Sequence, residues 1–247
     1  MQAGDVIREA WAHYKAHWQH LLPFALVVYL ILGVISLLLA IALGWFGALL
    51  GAFVGIIGVF WLQGALVEAV ADIRDGRADL TMGQTFARAQ QHIGTLAIAG
   101  ILAGLAIAVG LLALIIPGLY LLTIWSVLIP VIVLERRSVM EAFGRSRELV
   151  SGHGWNAFGV IVLCFLILIG VSIVVRIATF WLGGDFGEYV RSVISNTIGI
   201  PFLALALTNM YFRLRAVKET VAPVQASAGP PPAAASDPAA EPPPPLA

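Results

Sequence analysis

The chain has 247 residues, of which 60% are hydrophobic and only 11% are charged. An ordinary soluble domain carries charge on roughly a quarter of its residues, so a chain this poor in charge cannot cover a surface that faces water. Lysine plus arginine and aspartate plus glutamate both number 14, and this balance gives no general attraction to nucleic acid.

Four stretches contain no Asp, Glu, Lys or Arg, namely residues 21–67, 93–134, 149–175 and 192–212. About 20 apolar residues cross a bilayer, so the first two stretches each accommodate two helices and the last two accommodate one each. We therefore predict an all-α polytopic membrane helix bundle with six transmembrane helices, at 21–43, 45–70, 94–115, 118–134, 155–177 and 193–213. Very short turns at Gly44-Trp45 and Pro117-Gly118 predict two tight hairpins.

Basic residues are distributed unequally between the two ends of these predicted helices. With a cytoplasmic N-terminus, twelve of the basic residues lie in cytoplasmic segments, and only Arg176 and Arg191 lie outside. Cytoplasmic loops of membrane proteins carry an excess of Lys and Arg. The pattern predicts a multi-pass membrane protein with its N-terminus and C-terminus both cytoplasmic.

Three polar stretches share a pattern of apolar or small residues at offsets 0, 4, 7 and 11. The three sets are Ile7, Trp11, Tyr14 and Trp18; Met82, Phe86, Ala89 and Ile93; and Val139, Phe143, Ser146 and Val150. Such a spacing forms one stripe along an α-helix. Capping boxes at Thr81 with Gln84 and at Ser138 with Glu141 start the second and third copies in the same register. We predict a three-fold internal repeat, in which each interfacial amphipathic helix precedes two membrane helices.

The membrane domain is predicted to cover residues 1–219. From residue 220 to 247 the sequence is rich in Pro and Ala and has no apolar periodicity, so we predict a disordered C-terminal tail.

The residues that carry candidate functions are arginines, glycines and histidines. Five arginines near the predicted cytoplasmic ends are candidates for contact with anionic lipid headgroups: Arg88, Arg136, Arg137, Arg145 and Arg147. The alternative, which is favoured over any specific headgroup site, is that they only determine topology, and pairing between Glu141 and Arg145 is a competing arrangement. Glycines at a spacing of four predict close helix packing: Gly47, Gly51, Gly55, Gly100 and Gly104. The spacing of His13, His17 and His20 suits two metal ligands, but an interfacial polar face explains it better. No metal and no cofactor is predicted.

The stretch from Ile116 to Val160 carries a family resemblance. Its features are Pro117-Gly118 at the start of a membrane helix, Glu135 just after that helix, and then Val139, Ala142, Phe143, Arg145, Ser146 and Leu149. This stretch resembles bacterial multi-pass proteins related to the membrane domain of glycerophosphoryl diester phosphodiesterases, together with stand-alone relatives of unknown function. The resemblance implies a membrane domain in the bacterial cytoplasmic (inner) membrane, and it implies no site residues. Hydrolysis in the fused proteins belongs to a separate soluble barrel, for which we expect no room in this chain.

No phosphate-binding glycine loop, paired-carboxylate motif, HExxH or GxSxG motif is present in the sequence, so we expect no enzyme. One hypothesis is a membrane domain that organises lipids or a membrane-protein partner at the cytoplasmic leaflet. The alternative is a small transporter or lipid-translocating permease, to which helix breaks at Pro130 and Pro201 would contribute. A deep polar cavity would favour the alternative, and an apolar bundle interior would favour the first hypothesis.

Overall fold

The fold is all-α in a computed structural model that describes residues 2–74 and 82–227. The described residues form eight helices and no strand. The helices are α1 (Ala3–Arg74), α2 (Met82–Gln90), α3 (Ile93–Ala113), α4 (Ile115–Ile124), α5 (Leu128–Glu135), α6 (Val139–Val150), α7 (Gly154–Ala178) and α8 (Gly184–Ser227). The capping box predicted at Thr81 lies partly outside the described residues.

Five helical segments are long and apolar enough to cross a membrane. They are Leu21–Arg74, Ile93–Ala113, Ile115–Glu135, Gly154–Ala178 and Gly187–Glu219. The first has 54 residues, about 80 Å of helix if it were straight. It is not straight, because Gly44 has φ 59° and ψ −135°, a conformation that glycine adopts readily. The Ser36 hydroxyl donates a hydrogen bond to the Gly51 carbonyl at 3.3 Å, so the chain folds back at Gly44 as predicted.

The second hairpin turns at a different residue from the one predicted. Leu114 is the extended residue between α3 and α4, with φ −160° and ψ 137°, so the prediction of a turn at Pro117-Gly118 is wrong. Pro117 instead lies in the first turn of α4, where its missing N–H is not needed. A Cβ atom built on Gly110 would lie 3.0 Å from Gly118 Cα, so these two glycines allow the close approach of α3 and α4.

The predicted continuous helix over 118–134 is interrupted by a turn at residues 125–127, which separates α4 from α5. Pro130 explains this position, because a proline removes the N–H that would bond to the carbonyl of residue 126. Side-chain hydrogen bonds stabilise the turn: Thr123 donates to the Leu119 carbonyl at 2.7 Å and Ser126 to the Thr123 carbonyl at 2.8 Å. Pro201 causes no comparable break in α8.

The last helix extends beyond the predicted membrane domain. α8 continues to Ser227, so the first eight residues of the predicted disordered tail have helical backbone. The helical backbone continues through Pro223, a residue that disfavours a helix interior, so residue preference does not explain this extension. The remainder of the predicted tail, residues 228–247, lies outside the described residues.

Each of the three short amphipathic segments is followed by a histidine with the same non-helical backbone. His17 interrupts α1 at φ −123° and ψ 15°, His92 precedes α3 at φ −108° and ψ 0°, and His153 precedes α7 at φ −126° and ψ 18°. The short segments are therefore residues 3–16 of α1, α2 and α6. Each one meets a long apolar helix through a histidine.

The short segments also bury equivalent positions. The buried pairs, four residues apart in each copy, are Ala10 with Tyr14, Thr85 with Ala89, and Ala142 with Ser146. The aromatic residue next to the first member of each pair lies at the edge of the buried face and not at its centre. Trp11 is 48% exposed, and Phe86 and Phe143 are half-buried. The third position of the predicted stripe is thus buried in each segment, whereas at the second position the residue before the aromatic is buried instead.

The aromatic residue of each short segment packs on a long helix other than the one that directly follows that segment in the chain. Phe86 lies against Trp61 with ring centroids 4.8 Å apart, and Phe143 lies against Trp125 at the same separation. These partners belong to the long helical segments that directly precede α2 and α6. Trp11 packs on Phe202 of α8 at 6.1 Å. The first short segment is thereby joined to the last helix.

Candidate functional site

The polar residues of the bundle concentrate at one end, around two glutamates. Glu9 is the first, with a side chain that is 25% exposed. Arg213 donates from Nε and Nη2 to Glu9 Oε2 at 2.9 and 2.8 Å, and Arg74 donates from Nη1 to Glu9 Oε1 at 3.0 Å. Because the carboxylate binds two guanidinium groups at once, it connects residues 3–16 to the ends of both α1 and α8.

Glu135, at the end of α5, is the second glutamate and is only 12% exposed. Arg145 Nε lies 3.2 and 3.1 Å from its two carboxylate oxygens, and the Tyr211 hydroxyl donates to Oε1 at 3.1 Å. Arg137 approaches the same carboxylate at 3.5 Å. Tyr211 and Arg213 are two residues apart on α8, so both glutamates belong to the same end of the bundle.

Two of the five predicted headgroup arginines are thus engaged in ion pairs within the protein. Arg145, 21% exposed, also binds Glu148 at 3.1 Å. Partial burial lowers the pKa of Arg145, but hydrogen bonds to Glu148 and Glu135 outweigh that effect and raise it above its ordinary value. Arg145 is therefore part of the scaffold, and Arg137 joins it at its edge.

The competing arrangement, a pair between Glu141 and Arg145, is wrong. Glu141 instead completes the capping box of α6, accepting a hydrogen bond from the Ser138 backbone N–H at 3.1 Å. Hydrogen bonds from the Ser138 side chain and backbone lower the pKa of Glu141. The capping box predicted at Ser138 is confirmed.

The other three predicted arginines remain available to a ligand. Arg88, Arg136 and Arg147 are exposed, and none forms an ion pair with any residue in the described part of the chain. Arg136 also has φ 52° and ψ 40°, the left-handed conformation, at the end of α5. Glycine is the usual residue at this position, because a Cβ costs roughly 1–2 kcal/mol there.

The five predicted packing glycines divide into two groups. A Cβ on Gly51 would lie 3.0 Å from Ser36 Cα, one on Gly47 would overlap the Leu39 carbonyl, and one on Gly100 would overlap the Phe60 ring. A Cβ on Gly55 or on Gly104 would meet nothing within 4 Å. Close approach is therefore restricted to three of the five positions, because the stripe turns away from its neighbour along each helix.

A metal site gains no support among the described residues, where no three His, Cys, Asp or Glu side chains are grouped closely enough to hold an ion. His17 Nδ1 instead lies 3.2 Å from the His13 carbonyl. The His20 side chain lies outside the described part of the structure.

Glu9, Glu135 and Tyr211 are not among the site residues predicted from the sequence. A usable signal was present for the two glutamates, since acidic side chains at the arginine-rich ends of apolar helices are candidates for ion pairs. Nothing in the sequence, however, relates Glu9 to Arg213, which is 204 residues away.

Comparison of the chain with protein-family models, curated proteins and solved structures finds no match. The fold and the apolar helices nevertheless define a class: this is an all-α, multi-pass membrane protein. The resemblance of Ile116 to Val160 to the phosphodiesterase-related membrane domains stays a prediction.

Proposed function

We propose that this chain is a non-enzymatic protein of the bacterial inner membrane that gathers anionic lipids at the cytoplasmic leaflet. The observation that carries the proposal is the division among its arginines. Glutamates bind Arg74, Arg145 and Arg213 within the protein, whereas Arg88, Arg136 and Arg147 are exposed without an ion pair in the described chain. Each such charge near an anionic membrane surface contributes about 1 kcal/mol.

The proposed topology has six membrane helices, with both termini cytoplasmic. The break at Gly44 supports dividing the longest apolar segment into two helices of residues 18–43 and 45–74. Ion pairs between Glu9, Arg74 and Arg213 support a common side for the N-terminal segment and the end of α8. The concentration of basic residues on that side supports its cytoplasmic assignment.

The proposed architecture consists of three units, each a short interfacial helix followed by two membrane helices. The shared backbone at His17, His92 and His153 supports this division. Hydrogen bonding adds support, because the third-position residues Tyr14 and Ser146 donate to carbonyls of other helices, those of Ile198 and Ile124. Ala89 has no hydroxyl at the equivalent position of the second unit.

Arg136 offers independent support for a role of charge, because a residue with a Cβ occupies a backbone conformation that favours glycine. A cationic side chain at a strained backbone position is better explained by contact with a ligand than by a contribution to folding stability. Arg136→Gly should therefore make the protein more stable, by up to about 1 kcal/mol, and should weaken its selection of anionic lipid.

The transporter alternative rests on internal polar groups, and these are few. The buried polar residues in the described part of the chain are Thr85, Thr123, Ser146, Thr197, Thr208 and Asn209. None is ionisable, while ion and proton transporters place ionisable groups within the membrane. Recruitment of a membrane-protein partner by the same arginines remains an outcome of the experiment below.

The decisive experiment measures which lipids surround the protein. The full chain is reconstituted into mixed phosphatidylglycerol and phosphatidylcholine vesicles, extracted in polymer-bounded nanodiscs, and the lipids are quantified. We expect phosphatidylglycerol enrichment that decreases when Arg88, Arg136 and Arg147 are all changed to Gln and that weakens with salt. The control is Arg176→Gln, which removes an exposed arginine at the opposite end. Equal enrichment in the triple variant and the wild type would contradict the proposal, and co-purified protein in place of lipid would favour a partner.

A further inference from the structure

A groove of about 750 Å³ lies between α4 and the start of α7. Its volume is in the range of small-molecule and lipid sites, about 300–1,000 Å³. One wall consists of residues 116–124 of α4, and the other includes Gly152 to Asn156 and Phe158. Exposed apolar residues on its rim, among them Ile116 at 80% and Trp155 at 88%, show that the groove opens sideways and not into the bundle.

The α4 wall is mostly apolar. Ile116, Leu119 and Ile124 line it, and residues 116–124 extend over about 12 Å of helix. The Thr123 hydroxyl is paired with the Leu119 carbonyl and the Ile124 carbonyl accepts from Ser146, while Tyr120, whose hydroxyl is the other polar side-chain group of this wall, is 54% exposed. This half of the groove therefore suits a hydrocarbon chain.

The α7 end of the groove differs, because two polar side chains there have no hydrogen-bond partner in the described chain. His153 Nδ1 is buried without a hydrogen bond, and the half-buried side chain of Asn156 makes none either. Such groups cost free energy unless a ligand or water pairs with them. They are accompanied by the first backbone N–H groups of α7, which favour an anion.

The charge around this end also favours an anion. Arg147 is one turn before the groove, since its carbonyl accepts the Ser151 N–H at 2.9 Å, and its own side chain is exposed without an ion pair among described residues. Glu148, the nearest acidic neighbour in the chain, is bound to Arg145 at 3.1 Å. The α7 end thus has hydrogen-bonding groups in the groove and, one helical turn before it in the chain, an arginine without an ion pair among the described residues.

We propose that the groove is a discrete binding site for one anionic phospholipid. One acyl chain of the lipid lies along α4, and the phosphate of the lipid lies near His153 and Asn156. The site deepens the proposed function and rests on it, because it adds one ordered lipid to those gathered by the exposed arginines. It also gives a role to His153 that its counterpart His17 does not share, because His17 Nδ1 lies within hydrogen-bond distance of the His13 carbonyl.

The test uses phosphatidylglycerol with a photoreactive diazirine on one acyl chain, in nanodiscs that contain the full-length protein. We expect crosslinks to concentrate in residues 116–124 and 152–158. Leu119→Trp, which fills the groove, should reduce them at least five-fold. Its matched control is Leu112→Trp, because Leu112 is 87% exposed on α3 and does not line the groove. Ile116→Trp provides a second blocking variant at an exposed position if Leu119→Trp folds poorly.

The headgroup assignment is tested with the double variant His153→Ala and Asn156→Ala. It should reduce crosslinking of phosphatidylglycerol to the level of the matching phosphatidylcholine probe while leaving the crosslinked positions unchanged. Crosslinks spread evenly over exposed apolar residues, or equal labelling in Leu119→Trp and wild type, would overturn the site. If anionic enrichment fails but groove labelling persists, only the wider lipid-gathering function is lost, so the two proposals have separate outcomes.

Discussion

Glu135→Gln is predicted to be among the most destabilising single-atom changes at the arginine-rich end. The carboxylate is 12% exposed and binds Arg145, which is itself 21% exposed. Removing one partner of a fully buried ion pair costs roughly 3–5 kcal/mol. Because Arg145 retains some access to solvent, we expect a loss of about 2 kcal/mol in the free energy of unfolding.

The control is a second ion pair of Arg145, which binds another glutamate. Glu148 lies at the same distance of 3.1 Å but is 61% exposed, so Glu148→Gln should cost less than about 0.5 kcal/mol. Unfolding in mixed micelles, titrated with a denaturing detergent and followed by tryptophan fluorescence, measures both. In the double variant of Glu135→Gln with Arg145→Gln, the cost should be smaller than the sum of the single costs. Equal costs for the two glutamate variants would refute the reasoning.

Three further predictions concern packing, hydrogen bonding and topology. Gly51→Leu should destabilise the hairpin in the same unfolding assay, because a Cβ there would lie 3.0 Å from a backbone atom of the facing helix. A Cβ on Gly55 would meet nothing within 4 Å, so Gly55→Leu should have almost no effect. Similar unfolding midpoints for the two variants would contradict the packing claim. Ser146→Ala should cost about 1 kcal/mol, because the fully buried hydroxyl donates to a backbone carbonyl of α4 at 2.8 Å; an unchanged free energy of unfolding would show that the bond contributes nothing. A reporter fused after Lys218 should be active in the cytoplasm and one inserted at Gly184 should be active outside; the opposite result at either position would exclude the proposed topology.

Helix content and the first hairpin followed from simple features of the sequence. The apolar stretches between charges are long enough to predict membrane helices, and Gly44 divides the longest at the position where the chain reverses. The second hairpin could not be located in the same way. Leu114 lies in an apolar run between Gly110 and Pro117-Gly118, and the turn-forming pair Pro117-Gly118 pointed to a reversal point three residues too late.

The arginines show why sequence predicted the composition of the candidate site better than its organisation. All five lie among basic residues that the charge asymmetry marks for one side of the membrane. Whether an individual arginine faces lipid or binds a glutamate depends on contacts between residues that are far apart in the sequence. The position of Glu135, for example, is fixed in part by Tyr211, which is 76 residues away. Local periodicity contains no information about such pairs.

The attachment of Glu9 to Arg213 also imposes an order on biosynthesis. Ribosomes add about 5–20 residues per second, so the 204 residues between these two side chains take roughly 10–40 s to make. Arg74 emerges earlier and neutralises part of the carboxylate, but Trp11 and Tyr14 have no Phe202 to pack against until α8 has been inserted. A chain that stalls before α8 therefore displays an aromatic and acidic helix face that the finished protein covers in part, and this extra exposed surface distinguishes an unfinished molecule from a finished one.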